Sequence, residues 1–379
     1  MILPLVVLIP AICYSLVILF LKRGLITLNK PAKPAGYSFS VVIAARNEEK
    51  NIQLCIDSVL AQTIDKERFE IIVIDDRSID NTPLILTKIA QTHHNLRWIR
   101  VEKTPNKVSP KKYAVTKGIE QAKNEIVVFT DADCVVPETW LHTLDCYFAE
   151  DTGLVQGITC YKEDESINRH FYGVQSIDFL SHGIVAAAGI GAGIPINSNA
   201  NNFAFKKEVF SSLCGYGEDI QCVVSGDDDL LLQRIWKSGK WKVEFMSDPA
   251  GAVETNPTPT IAEAFEQRKR WGSKTVHYCL PQVLILSTVF LFYLFIAAFF
   301  VTGFIDHTFW GVTVGLVGVK VTGEALLLYP GTKIFRKKEL RRYILAASVI
   351  QLPVVIAAVF SGVFGKFSWK DQKFRRKVG

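Results

Sequence analysis

No two of the eight cysteines stand in Cys-x-x-Cys spacing, so neither a zinc site nor a disulfide framework is indicated, and reduced thiols in a cytoplasmic domain are the simplest account. The chain also lacks a Gly-x-Gly-x-x-Gly turn and a phosphate-binding P-loop, which argues against dehydrogenases and kinases. No charge interrupts Ile2 to Leu21, and no positive side chain precedes that run, while Lys22 and Arg23 follow it at once. That flank order is wrong for a cleaved signal peptide. The run is long enough to cross the hydrocarbon core and is expected to be an uncleaved anchor with its N-terminus outside.

A strong excess of one charge is absent too. Against 37 acidic residues stand 43 Lys and Arg, a net of +6, and much of the surplus gathers at 268–270, 333–342 and 366–377. These clusters adjoin apolar segments, so they read as juxtamembrane anchors facing the cytoplasm and anionic lipid, with no need for a nucleic-acid partner.

What is present is hydrophobic length. Mean hydropathy is +0.20, high for a soluble enzyme, and apolar stretches run from about Leu280 to Ile305, Phe309 to Pro330 and Tyr343 to Gly365. The expected organisation is an anchor at 1–23, a linker at 24–38, a globular domain at 39–274, membrane segments at 275–365 and a basic tail at 366–379. If every C-terminal stretch crosses once, the tail lands outside, against the positive-inside rule. Gln351 and Pro353 interrupt the last stretch, so a re-entrant or interfacial segment is expected there.

Within the globular part, buried-strand patterns at Phe39 to Ala45, Phe69 to Ile74, Leu96 to Val101 and Glu125 to Thr130 alternate with helical ones at Thr82 to Thr92 and Ala114 to Ala122. Alternation of this kind predicts an α/β fold with a parallel sheet, whose ligands bind beyond the carboxyl ends of the strands. Two acidic pairs stand at those ends.

Asp131 and Asp133 can approach one divalent cation, Mg²⁺ or Mn²⁺, that also grips a diphosphate; an acidic loop cap is the bland alternative. Asp75 and Asp76 suit a nucleobase or ribose, or equally an Asx turn with Asp80 or Asn81 capping the next helix. Asp227, Asp228 and Asp229 exceed what one helix cap needs, and mutual repulsion favours a general base among them. In Gln267-Arg-Lys-Arg270-Trp271 an arginine and an indole can hold a diphosphate and a sugar, or else anchor the chain at a membrane boundary.

Taken in order over Val41 to Trp271, these motifs resemble the inverting nucleotide-sugar glycosyltransferases of family two, the group of cellulose, chitin and hyaluronan synthases. The resemblance implies a GT-A nucleotide-binding sheet flanked by helices, with transmembrane helices at both ends. It places Ala45, Arg46 and Glu48 at the base with Asp75 or Asp76, and Lys111 near the base or phosphates. Asp131 would contact nucleotide or sugar, Asp133 would ligate the metal, and Asn202 would line the donor pocket beside Asn201. Gln267, Arg270 and Trp271 match the family's Gln-x-x-Arg-Trp. Ser225-Gly226-Asp227 replaces the family's Thr-Glu-Asp, leaving Asp227 or Asp228 as the base, with Asp227 preferred.

The implied enzyme is a hexosyltransferase of the plasma or inner membrane with a cytoplasmic catalytic domain. It would move sugar from a nucleotide-diphosphate donor, UDP-linked by preference, to a hydroxyl of a lipid-linked or glycan acceptor. A processive polysaccharide synthase and a polyprenyl-phosphate glycosyltransferase are the enzyme alternatives; a scaffold or transporter has little support, because the carboxylates cluster outside the apolar segments. Lys320 and Glu324, four apart inside the third apolar stretch, read as mutual neutralisation.

Overall fold

The computed structural model describes residues 2–364 apart from 107 and 224, together with 366–369 and 372–375; the other positions of the expected basic tail lie outside the described residues. In chain order the strands are β1 (Phe39–Ala45), β2 (Phe69–Asp76), β3 (Leu96–Val101), β4 (Ile126–Asp131), β5 (Cys134–Val135), β6 (Thr152–Gly157), β7 (Thr159–Tyr161), β8 (Phe203–Lys206), β9 (Lys242–Met246) and β10 (Val253–Thr255). The helices are α1 (Ile2–Ile26), α2 (Ile52–Leu60), α3 (Thr82–Thr92), α4 (Pro110–Gln121), α5 (Trp140–Asp145), α6 (Arg169–Gly191), α7 (Lys207–Ser212), α8 (Gly217–Ile220), α9 (Asp229–Lys237), α10 (Ile261–Gly272), α11 (Leu280–Thr302), α12 (Phe309–Ile334) and α13 (Ile344–Phe364).

They form two compact units. One, the α/β unit, comprises Leu28–Glu163 and Asn197–Asn256; the other, the helical unit, comprises Met1–Thr27, Asp164–Ile196 and Pro257–Gly379. The division is not the contiguous 39–274 expected from sequence. Helices α6 and α10, polar enough to pass for parts of the globular domain, group instead with the apolar helices.

In the α/β unit the main sheet has seven strands in the order β3-β2-β1-β4-β8-β6-β9. β3, β2, β1 and β4 are parallel, as the alternation predicts, but β8 is antiparallel to both β4 and β6. The sheet is therefore mixed. A parallel neighbour is delivered by a crossover helix; β8 instead arrives after three short strands and a long insertion, and pairs in the opposite sense.

β1, β2 and β4 are largely apolar runs because both faces are covered, whereas β3 at the sheet edge carries Arg97 and Arg100 and is only partly buried. All eight residues of β2 are buried. On one face Phe39, Val41 and Ile43 pack with Ile52 and Ile56 of α2 and Leu86 of α3. On the other, α4 lies so close that a Cβ on Gly118 would stand 2.4 Å from Val42 Cγ1, so a larger residue there would push α4 off the sheet. Register sets the site: Ala45 pairs with Asp75, and Ala44 with Asp131. Both acidic strand ends thus flank the end of β1.

The helical unit contains four helices long and apolar enough to cross a membrane, within 7–26, 280–302, 309–334 and 338–362. Leu8, Ile9, Ile12, Leu16 and Leu19 of α1 are exposed, while Tyr14 stacks on Phe292 with ring centroids 4.3 Å apart. Outward apolar side chains and inward packing of this kind suit lipid rather than water outside. Helix α13 runs unbroken through Gln351 and Pro353, so the interruption on which a re-entrant segment was expected is not there. Gln351 turns inward instead: its amide donates to Asp178 Oδ1 at 3.2 Å and its carbonyl accepts from Tyr293 Oη at 3.1 Å.

Candidate active site

The loops after β1 and β2 are laced together by short polar side chains. Backbone N–H groups of Asn47, Glu48 and Glu49 donate to Ser78 Oγ, Thr82 Oγ1 and Asp80 Oδ2 at 2.9, 2.9 and 3.1 Å. In return Ile79 N donates to Asn47 Oδ1 at 2.9 Å. Asn47 takes φ 53°, a left-handed conformation that asparagine tolerates. Of the two expected caps for α3, Asp80 does the work, accepting from Thr82 N at 3.0 Å; these bonds to Thr82 and Glu49, set against burial, hold the Asp80 carboxyl below its usual range.

The strand-end pair divides its labour. Asp75 is fully buried, accepts from Ser78 N at 3.1 Å and lies 3.3 Å from the Arg100 guanidinium. Asp76 stands at the edge, 3.7 Å from Arg46 Nη1 and 2.8 Å from Arg77 Nε. The turn reading therefore applies to Asp75, while Asp76 is held by two arginines. Ala45 is buried at the strand end, and Glu48 accepts from Asn51 Nδ2 at 2.9 Å.

Lys111 joins the remaining carboxylates. Its Nζ lies 2.9 Å from Asp131 Oδ1 and 3.0 Å from Asp227 Oδ2, bringing together the end of β4 and the loop before α9. Burial alone would lower the lysine pKa, but Asp131 and Asp227 outweigh it and raise it. The ammonium is therefore a fixed positive charge.

The triplet of aspartates separates by hydrogen bonding. Asp228 accepts from Asp229 N at 2.7 Å and Ala200 N at 2.8 Å, and Asp229 accepts from Ser198 N. Both are framework carboxylates. Asp227 Oδ2 reaches the Lys111–Asp131 cluster, 3.0 Å from Lys111 Nζ. Gly226 just before it has φ 78°, where glutamate would be strained; this accounts for glycine where the family has Glu.

Asp133 is partly exposed at the turn after β4, with Cys134 Sγ 3.7 Å from Oδ1. Burial, then Asp133 and Asp131, push the thiols of Cys55 and Cys134 up, so neither supplies a thiolate. Among the described residues no three His, Cys, Asp or Glu side chains gather as a metal site. Mg²⁺ and Mn²⁺ that bind through a substrate's phosphates need only one or two carboxylates, and a partly open Asp133 beside Asp131 fits that donor set.

Asn202 is fully buried; Oδ1 accepts from Trp140 Nε1 at 2.9 Å, and Nδ2 donates to the carbonyls of Ile158 and Gly251, both at 2.9 Å. Those groups tie it to the framework around β7 and α5.

Gln267, Arg270 and Trp271 lie on α10 in the helical unit. Thr260 and Glu263 start that helix, with Glu263 N donating to Thr260 Oγ1 at 3.2 Å. Gln267 Oε1 accepts from Arg268 Nη1 at 2.7 Å. The Arg268 guanidinium lies 4.3 Å from the Trp271 ring centre, and His182 stands 5.0 Å away on α6. Arg268 donates through Nε to Asp178 at 2.9 Å, so the indole is seated by a buried ion pair that the motif did not reveal. Sequence reasoning also missed Lys112 and Arg100, whose partners lie distant along the chain, and Arg77, which bonds its neighbour Asp76.

Residues 40–203 match the family model "Glycosyl transferase family 2". That segment, less than half of the chain, carries a family-two glycosyltransferase domain. The beta-monoglucosyldiacylglycerol synthase of Synechocystis sp. is 25% identical over 236 residues, 61% of this chain and 46% of the relative. The poly-beta-1,6-N-acetyl-D-glucosamine synthase of Staphylococcus epidermidis is 27% identical over 262 residues, 66% of this chain and 57% of the relative. The chain thus spans about half the length of these curated relatives. Among solved structures, a mannosyltransferase from Pyrobaculum calidifontis in complex with GDP-Man and Mn²⁺ aligns with a TM-score of 0.59 at 18% identity, covering 94% of this chain and 97% of that one. That likeness is one of fold, and it is the GT-A fold of the family with helices long and apolar enough for a membrane at both ends.

Proposed function

We propose that this protein transfers a sugar with inversion from a nucleotide-diphosphate sugar, UDP-linked by preference, to a hydroxyl of a lipid-linked or glycan acceptor at a membrane. The observation that carries the reading is Lys111 bridging Asp131 and Asp227 at 2.9 and 3.0 Å beside the carboxyl ends of β1 and β4. Asp76 and Arg46 would receive the nucleoside, Asp133 would hold Mg²⁺ or Mn²⁺ at the diphosphate, and Asp227 would take the proton of the attacking hydroxyl. A bound divalent ion supplies charge neutralisation on the departing diphosphate. Lys111 keeps Asp131 and Asp227 apart in charge and together in space. Gln267, Arg270 and Trp271 are proposed for the diphosphate and acceptor end.

One relative is named for a glucosylated diacylglycerol and the other for a polysaccharide, so lipid and glycan acceptors are the two classes to test, with chain polymerisation as the second reading. A cytoplasmic catalytic unit follows from the basic residues at 268–270 and 333–342. Asp227→Asn is expected to abolish transfer while binding of UDP with Mn²⁺, read by thermal shift, persists; an active Asn variant would move the base elsewhere.

A further inference from the structure

Next to Lys111 on the first turn of α4 stands a second lysine that turns the other way. Lys112 is 1% exposed, and its Nζ donates to the carbonyls of Ile220, Val223 and Ser225 at 2.7, 2.9 and 3.3 Å. An ammonium has three N–H donors, and these carbonyls match that number. The Tyr216 ring adds a π-face at 5.5 Å. Just ahead, Ser109 N donates to Gln221 O at 2.8 Å. The start of α4 therefore grips the backbone between α8 and α9, a stretch with no strand or helix among its described residues and a left-handed glycine at 226.

We propose that Lys112 is the positioning residue for Asp227: by tying three carbonyls of residues 220–225 to the helix that carries Lys111, it fixes the backbone two residues before the proposed base. The inference rests on Asp227 being that base. A hydrophobic side chain at 112 would take the ammonium away from three carbonyls, of which Ile220 O keeps Val223 N at 3.1 Å, and the loop would refold around water or other donors. Asp227 would then leave the point 3.0 Å from Lys111. A general base has to sit within hydrogen-bond reach of its proton, and a displacement of about 1 Å costs about 10²-fold in rate. Asp76 and Asp131 lie on strand ends and Asp133 on the turn after β4, all outside the gripped loop, so nucleotide binding should be spared.

The test compares full-length wild type, Lys112→Met and Lys112→Arg. Hydrogen exchange on the substrate-free chain should rise in 217–226 for Lys112→Met and stay unchanged in β1 and β2. Turnover is read as nucleoside diphosphate released from UDP-glucose, UDP-N-acetylglucosamine or GDP-mannose with Mn²⁺. The expected result is a kcat lower by about 10²-fold with the donor KM within about twofold of wild type. Arginine keeps the charge and several donors but its planar fork cannot meet three carbonyls as an ammonium does, so Lys112→Arg should lose about tenfold in kcat and carries the test if the Met variant does not fold. Wild-type exchange in 217–226 together with wild-type kcat in either variant would overturn the proposal. The exchange arm needs no turnover, so it stands apart from the test of Asp227 as base: an active Asp227→Asn chain with a loosened loop would sink the base and leave the grip.

Discussion

In the α/β unit Lys111 stands between Asp131 and Asp227, with 18%, 34% and 11% of the three side chains open to solvent. In the helical unit Arg268, Asp178, Gln351, Tyr293, Lys320 and Glu324 form one hydrogen-bonded chain, with Arg268 at 9% and Lys320 at 1%. Both clusters juxtapose acid and base. They differ in what is left over. Two cations and two anions balance in the second, Gln351 and Tyr293 spanning the gap, and Lys320 adds a bond to Ser348 O at 2.7 Å. The first holds two carboxylates on a single ammonium at a strand end, where solvent still reaches Asp131. A buried network whose charges cancel holds helices together; an open one with surplus negative charge has capacity for a cation and a diphosphate.

The largest expected effect tests the open cluster. Asp227→Asn should lower the transfer rate by about 10³-fold or more if it is the general base, with a melting temperature that falls less than that of Asp178→Asn, because asparagine keeps the volume and Lys111 still faces Asp131. A variant that unfolds while the remaining folded fraction stays active would show that Asp227 belongs to the framework, and the contrast between the clusters would collapse.

Asp178→Asn probes the closed cluster and should do the reverse. Removing one partner of a buried pair leaves Arg268 uncompensated, at a cost of about 3 kcal/mol. Burial raises the Asp178 pKa, but Arg268 and His182 outweigh it and lower it. A depressed carboxyl contributes stability that is fully present above its unfolded pKa of about 3.9 and is lost as pH falls through the folded value. Wild type should therefore lose this part of its stability below about pH 4, and Asp178→Asn should show a shallower acid loss in thermal melts. Equal acid slopes in the two proteins would remove Asp178 from the network's electrostatics.

How much of this was legible beforehand differs between the clusters for a physical reason. Strand ends are visible in sequence because a β-branched run stops at an acid, as at Asp75 and Asp131, and the helix starts follow from local signals such as Asp80 and Thr260. That Asp228 accepts from the backbone N–H groups of Asp229 and Ala200, the latter 28 residues away, could not be read from the triplet itself. Asn202 was placed at the donor pocket by the family resemblance of its stretch; its bonds to Trp140, Ile158 and Gly251 come from residues distant along the chain. Gln351 was read as a break because a polar residue near proline weakens a helix locally, whereas its partners come from α6, α11 and α12. Long-range pairing overrides local preference at each of these points.

Asp133→Ala sharpens the open side further. If Asp133 helps hold the divalent ion, the Mn²⁺ concentration that gives half of the UDP-dependent thermal shift should rise by about tenfold or more, with the metal-free melting temperature unchanged. An unchanged Mn²⁺ requirement would transfer the ligand role to Asp131 and make Asp133 part of the turn.

The smallest effect belongs to a carboxylate of neither kind. Asp80 bonds only neutral donors, Thr82 N at 3.0 Å, Thr82 Oγ1 at 2.6 Å and Glu49 N at 3.1 Å, and so stitches the loop after β1 to the start of α3 without an opposing charge. Asp80→Ala should cost about 1 kcal/mol, the ordinary loss of a helix cap, and Asp80→Asn about half of that, since an amide oxygen still accepts from Thr82. If urea melts instead give Asp80→Ala a loss as large as that of Asp178→Asn, then bonds to backbone N–H groups stabilise this chain as much as a buried ion pair does. The ranking of the two clusters by compensated charge would then have to be replaced by a ranking by hydrogen bonds lost.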